Sequence, residues 1–68
     1  MQNARSSNIQ GVEYDEQQRV LLVRFMSGST YRYAGVPADV YHRFRLADSA
    51  GSFFAKEIRH RYTGERVG

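Results

Sequence analysis

Sixty-eight residues with a formal net charge of +3 suffice for one small domain and leave no room for a second. A chain this short buries only about 60% of the surface that its unfolded state exposes, and it has no cysteine, so neither disulfides nor cysteine-ligated zinc supply the missing stability. No run approaches the ~20 apolar residues that span a bilayer, and the N-terminal Met1-Gln2-Asn3-Ala4-Arg5-Ser6-Ser7 is polar. The expectation is a cytoplasmic protein with no membrane partner.

In chain order, residues 1–6 are expected to be a flexible N-terminus. The first strand runs through Ile9 to Tyr14, with alternation from Val12 to Tyr14. The polar stretch Asp15-Glu16-Gln17-Gln18 is a hairpin connection. Arg19-Val20-Leu21-Leu22-Val23-Arg24-Phe25 is the clearest strand, rich in β-branched and aromatic residues. Period two places Leu21, Val23 and Phe25 on one face, the expected core. Val20, Leu22 and Arg24 fall on the other face, which is apolar enough to be a partner surface. Ser27-Gly28-Ser29 reads as a tight turn with Gly28 at positive φ. Thr30-Tyr31-Arg32-Tyr33 follows as a third strand.

Gly35 ends that strand, and Pro37 suits the start of a helix, where its missing N–H costs nothing. Val36, Val40, Phe44 and Ala47 recur at helical spacing, predicting a helix over residues 37–47. Asp48-Ser49-Ala50-Gly51 interrupts it, with Asp48 or Ser49 as N-cap of a last helix reaching about Tyr62. Phe54, Ile58 and Tyr62 form its apolar stripe, while Lys56, Arg59, His60 and Arg61 fall away from it. Gly64 reads as the C-cap. The fold class is therefore α+β: a three-stranded antiparallel meander followed by two α-helices packed on one face, in the order β-β-β-α-α. One domain is expected over residues 7–63, with a C-terminal tail over 64–68.

This order of elements resembles the KTSC domain family, named after the C-terminus of certain lysyl-tRNA synthetases. The residues that carry the resemblance are Tyr14-Asp15, Leu21-x-Val23-x-Phe25, Ser27-Gly28 and Tyr31-Arg32-Tyr33 with Gly35-Val36-Pro37. They continue through Ala47-x-Ser49-x-Gly51-x-Phe53-Phe54 to Ile58-Arg59 and Tyr62. The Tyr-x-Tyr element followed by Gly-Val-Pro is its most specific part. The family occurs appended to synthetases and as short single-domain proteins of bacteria and phages. The resemblance implies RNA binding, an inference drawn for the family from the synthetase association.

Nine of the ten basic residues are arginine, the side chain whose planar fork grips phosphate and stacks on bases. An arginine-favouring GC-rich genome gives the same bias. Residues 1–18 carry a net −2 and residues 19–68 a net +5. Tyr31 and Tyr33 have two readings, an exposed platform on which bases stack or core residues under the helices, the commoner fate of such a pair. On the second reading Arg32 lies on the open face beside Val20, Leu22 and Arg24. The turn Asp48-Ser49-Ala50-Gly51-Ser52 is either an anion site at a helix start or an ordinary capped turn. Lys56, Arg59, Arg61 and Arg66, with Arg43 and Arg45, form either a phosphate-contacting surface or a solvated helix face. His42 and His60 suggest no catalytic arrangement.

The expected function is a non-enzymatic module binding an anionic ligand, foremost RNA, without metal or cofactor. The candidate ligand-binding residues are Arg24, Tyr31, Arg32, Tyr33, Ser49, Gly51, Ser52, Lys56, Arg59 and Arg61. A second expectation is an oligomeric nucleotide-binding protein, a phage-encoded sponge for an immune signal, with the same arginines and the Ser49 turn lining a pocket between subunits. A third is a protein–protein adaptor. Homo-oligomer formation is expected through the open sheet face at Val20 and Leu22.

Overall fold

A computed structural model describes residues 9–68. The flexible terminus expected over residues 1–6 lies outside them. Strands β1 (Ile9–Asp15), β2 (Val20–Phe25) and β3 (Thr30–Ala34) form the meander, and β4 (Gly64–Arg66) adds to the far edge. The sheet is antiparallel throughout, in the order β1-β2-β3-β4.

Local chemistry closes each turn. The Asp15 carboxylate accepts the N–H groups of Gln17 (3.0 Å) and Gln18 (3.2 Å), and Arg19 takes φ +58° to re-enter the sheet. The second hairpin is closed by Phe25 and Ser29, whose N–H and C=O meet at 2.8 Å, with Gly28 at φ +100°. Gly35, at φ +77°, turns the chain out of β3, and the Val36 N–H then donates to the Arg19 carbonyl at 2.9 Å. That bond ties the helical half of the chain to the first hairpin.

Helix α1 (Ala38–Leu46) begins after Pro37, whose carbonyl accepts from Val40 and Tyr41. Helix α2 (Ala50–Phe53) starts at Ser49, whose hydroxyl accepts the Ser52 N–H at 3.2 Å. It runs directly into a π-helical turn, Phe54–Ile58, in which the Arg59 N–H reaches back to the Phe54 carbonyl at 2.9 Å. Regular helix stops there, short of Tyr62. Gly64 opens β4 instead of capping a helix, so part of the expected tail is a strand. Backbone pairing with β3 accounts for this, with Tyr33 opposite Gly64 and Tyr31 opposite Arg66.

The core lies between sheet and helices. Leu21, Val23 and Tyr33 from the sheet meet Val36, Val40, Phe44, Phe54 and Ile58. Phe25 packs against this cluster, as the period-two pattern requires. Apart from the hydroxyl of Tyr33, no polar or charged side chain among the described residues is buried. At the other end of the sheet, Tyr14 stacks on Tyr41 of α1 with ring centroids 4.7 Å apart, and its hydroxyl donates to the Val36 carbonyl.

Ile58 is fully buried and anchors the π turn to the sheet. A domain of this length has about 3–10 kcal/mol of stability in total, taking 0.05–0.15 kcal/mol per residue. Ile58→Ala should remove about 2–5 kcal/mol. In a urea titration followed by circular dichroism, the midpoint should collapse toward zero denaturant. A shift no larger than that of an exposed substitution such as Leu46→Ala would contradict this packing.

Candidate functional site

Register decides which residues share a face. Tyr31 and Tyr33 sit opposite Val23 and Leu21, so both point toward the helices and belong to the helix-covered face. Arg32 pairs with Leu22, and Arg24 with Thr30, so these two arginines stand on the open face with Val20. The ten sequence-predicted site residues therefore do not form one site.

Four of them do come together. Tyr31, Tyr33, Gly51 and Arg59 line a groove of ≈ 540 Å³, half open to solvent, between the second hairpin and the π turn. Ile9, Phe25, Met26, Ser27, Ser29, Phe54 and Ala55 complete its lining. The aromatic rings form a connected set. Phe54 meets Phe25 edge-on at 5.5 Å and Tyr33 edge-on at 5.6 Å. Phe25 meets Tyr31 edge-on at 5.7 Å, and Tyr31 lies beside Tyr33 at 6.5 Å. Such pairs contribute roughly 0.5–1.5 kcal/mol each beyond burial. Met26, 64% exposed, is a pliable thioether at the mouth.

The π turn explains how Arg59 reaches this groove. At 3.6 residues per turn it would lie about 140° around the helix from Phe54, facing away. The wider turn, closed by the Arg59 N–H bond to the Phe54 carbonyl, brings Arg59 into the groove with Phe54 and Ala55. Tyr33 is only 6% exposed, and this burial raises its hydroxyl above the usual tyrosine range. The neighbouring Tyr31 pushes it further up, while Arg59 pulls it down. The two phenols and the Arg59 guanidinium thus sit within electrostatic reach of each other.

The other candidates lie elsewhere. Ser49 is occupied as the helix cap, and Ser52 and Lys56 are exposed outside the groove. Arg61 faces Glu57 at 3.8 Å. On the open face Arg24 lies 3.9 Å from Glu13, and Arg32 3.7 Å from Glu65. On α1, Arg43 is 4.0 Å from Asp39 and lies over the Phe53 ring, and Arg45 covers Tyr41. These exposed pairs contribute about 0–1 kcal/mol each, yet each places a carboxylate or a ring against the cation. Arg59 and Arg66 face no side-chain carboxylate within 4.0 Å among the described residues. Arg66 stands on β4 opposite Tyr31, and its Nε donates to the Gly68 backbone oxygen at 3.2 Å.

Phe25, Met26, Ser27 and Ser29 were not singled out as site residues from the sequence. They read as strand end and turn, and only the proximity of the π turn makes them a wall.

The KTSC domain pattern matches residues 5–62. The chain belongs to the KTSC domain family. A crystal structure of a KTSC domain protein from Yersinia pestis is similar over 98% of this chain and 94% of its own, with 35% identity and a TM-score of 0.86. A protein from Tsukamurella paurometabola is 36% identical over 62 residues, which is 91% of this chain and 92% of the relative. An uncharacterized protein from Stutzerimonas stutzeri is 42% identical over 50 residues, 74% of this chain and 70% of the relative. The span matched by the family pattern ends before β4, whereas the Yersinia pestis structure covers nearly the whole chain. No helix among the described residues of this KTSC domain is long and apolar enough to cross a membrane.

Gly64 has a specific duty at this site. A Cβ there would lie 2.7 Å from Tyr33 Cζ and 2.9 Å from its hydroxyl oxygen, distances that force the ring to move. Gly64→Ala should cost about 1–3 kcal/mol by overpacking. In a Tyr33→Ala background the same change should cost little, because the obstructing ring is gone. A double-mutant cycle of denaturation midpoints measures this coupling, and additive effects would show that the ring is not held against β4.

Proposed function

We propose that this KTSC domain is a non-enzymatic binding module for single-stranded RNA, and that the groove beside Tyr31, Tyr33 and Arg59 is where it binds. The observation that carries the reading is the pairing of an aromatic-lined groove with an arginine, Arg59, that faces no side-chain carboxylate within 4.0 Å among the described residues. An unstacked base needs an apolar and aromatic wall, and its phosphate needs an uncompensated cation. The groove has both among its lining residues. The half-open form also suits a strand that enters and leaves. The positive balance of residues 19–68 adds a long-range attraction for polyanions.

Arg59 is the residue on which this reading depends. A charge-assisted hydrogen bond contributes about 1.5–3 kcal/mol, so Arg59→Ala should weaken single-stranded RNA binding about 10- to 150-fold. It should also lower the slope of log K against log salt by about one. Arg24→Ala, on the opposite sheet face, should leave both nearly unchanged. Fluorescence-anisotropy titrations of a labelled oligonucleotide at two salt concentrations measure these effects. Absence of binding by the unaltered domain at low salt would remove the reading.

A second reading, self-association or adaptor docking, is favoured by the open sheet face. Leu22 is half-buried and Val67 is 52% exposed there, flanked by Arg24 with Glu13 and Arg32 with Glu65. A face carrying both charge signs around an apolar centre suits a protein surface, a second copy included, better than a polyanion. Sedimentation equilibrium should then show a dimer that Leu22→Asp converts to monomer. A monomer at all concentrations would exclude the self-association form. A nucleotide sponge assembled from several copies would require that same oligomer.

A further inference from the structure

The open sheet face carries its charges in a pattern that fits a copy of itself. One cross-strand row holds Glu13 on β1, Leu22 on β2, Arg32 on β3 and Glu65 on β4. Opposite charges therefore stand at equal distances, about 4.8 Å, on either side of β2, with Leu22 between them. Leu22 lines a concavity of ≈ 450 Å³ together with Val20, Val67, Glu13 and Arg32. Within the chain, Glu13 lies 3.9 Å from Arg24, and Arg32 lies 3.7 Å from Glu65. Both are loose, exposed pairs, so each carboxylate and each guanidinium keeps capacity for a further partner.

From this row we infer that the face binds a second copy of the chain, stacked sheet on sheet about a two-fold axis that runs along β2. The inference rests on the self-association reading above and deepens it, because it specifies which side chains meet. Such an axis sets Leu22 on Leu22 and each copy's Glu13 on the other copy's Arg32. An axis running across the strands would instead set Glu13 on Glu13 and Arg32 on Arg32, with like charges opposed. The favoured arrangement makes two ladders of alternating sign, Arg24 and Glu13 of one copy followed by Arg32 and Glu65 of the other. The Arg24 side chains of the two copies approach the axis, and the angle of about 30° between packed sheets carries them apart. At about 4.8 Å between strands and 3.4 Å per residue, the face measures roughly 300 Å². Stable complexes bury about 800 Å² per partner, so this dimer is weak and its charge pairing decides the geometry.

Sedimentation equilibrium at low salt compares the unaltered chain, Glu13→Arg, Arg32→Glu, and an equimolar mixture of the two altered chains. Each altered chain alone opposes like charges at both contacts and should raise the dimer dissociation constant about tenfold or more. In the mixed dimer opposite charges meet again at both contacts, so the mixture should associate about as well as the unaltered chain. Added salt should shrink these differences. If either swap leaves association unchanged while Leu22→Asp abolishes it, or if mixing restores nothing, the paired ladders are wrong and the self-association reading stands. A chain that stays monomeric at all concentrations leaves the face to a different protein and removes both. Glu13 and Arg32 both have exposed side chains, and unchanged denaturation midpoints for the altered chains separate lost pairing from lost fold.

Discussion

Phe54 meets the sheet through two edge-to-face contacts, one with Phe25 and one with Tyr33, and much of the molecule is arranged around them. The ring is 8% exposed, so it serves the core. Its outer edge also forms a wall of the groove. The π turn starts at this residue, and its carbonyl accepts the Arg59 N–H. One side chain therefore attaches the helical layer to the sheet, shapes the concavity and sets the position of the cation at its rim. In a larger domain these duties would fall on separate residues. Here the buried surface is too small for that division, and the groove wall and the core are the same rings.

This economy shows in what the sequence made legible. Alternation in Leu21, Val23 and Phe25 was enough to assign faces, because a one-residue slip would turn the whole set to solvent. The stripe Val36, Val40 and Phe44 identified α1 in the same way. The commoner fate of Tyr31 and Tyr33 was also the correct one. Two features were not legible. The π turn leaves no compositional trace, because Phe54, Ile58 and Tyr62 fit an ordinary helical repeat, and the extra residue in the turn depends on how Phe54 seats against Phe25 and Tyr33. Strand β4 has only Gly64, Glu65 and Arg66, all exposed, without any apolar alternation. Its pairing is decided by the free edge of β3 and by the absence of a Cβ under the Tyr33 ring. Both missed features belong to the candidate site, so the fold was far more readable than the site.

The sheet also sorts the arginines, and this gives the charge a meaning that composition alone could not. Arg24 and Arg32 face solvent on the open side with Glu13 and Glu65 near them, so the field there largely cancels. Arg59 lies in the groove beside the tyrosines with no such partner among the described residues, whereas Arg66 is bonded to the Gly68 oxygen. The strength of the four exposed pairs matters little for stability. Two of them neutralise the open sheet face, and two lie along the helices. Net charge, by itself, would have distributed the same cations over the whole surface.

The scale of the groove bears on how such a domain would work. One stacked base contributes roughly 1–3 kcal/mol, and phosphate contacts made at an open rim are screened by salt. After the cost of ordering the strand, the sum on the proposed reading is a few kcal/mol, which corresponds to millimolar or upper micromolar affinity. A single groove on a single domain would then be a weak ligand for any strand. Two routes raise it: tethering to a second nucleic-acid-binding body, or pairing of two copies so that two grooves engage one strand, where effective concentration supplies a gain of about 10²–10⁴ without new contacts. The open face, with Leu22 and Val67 at its centre and charges of both signs around them, is on the opposite side of the sheet from the groove. A partner on that face would leave both grooves unobstructed. On the proposed reading, a nucleotide groove and an association surface would be parts of one arrangement, because the weakness of the first would give the second its use.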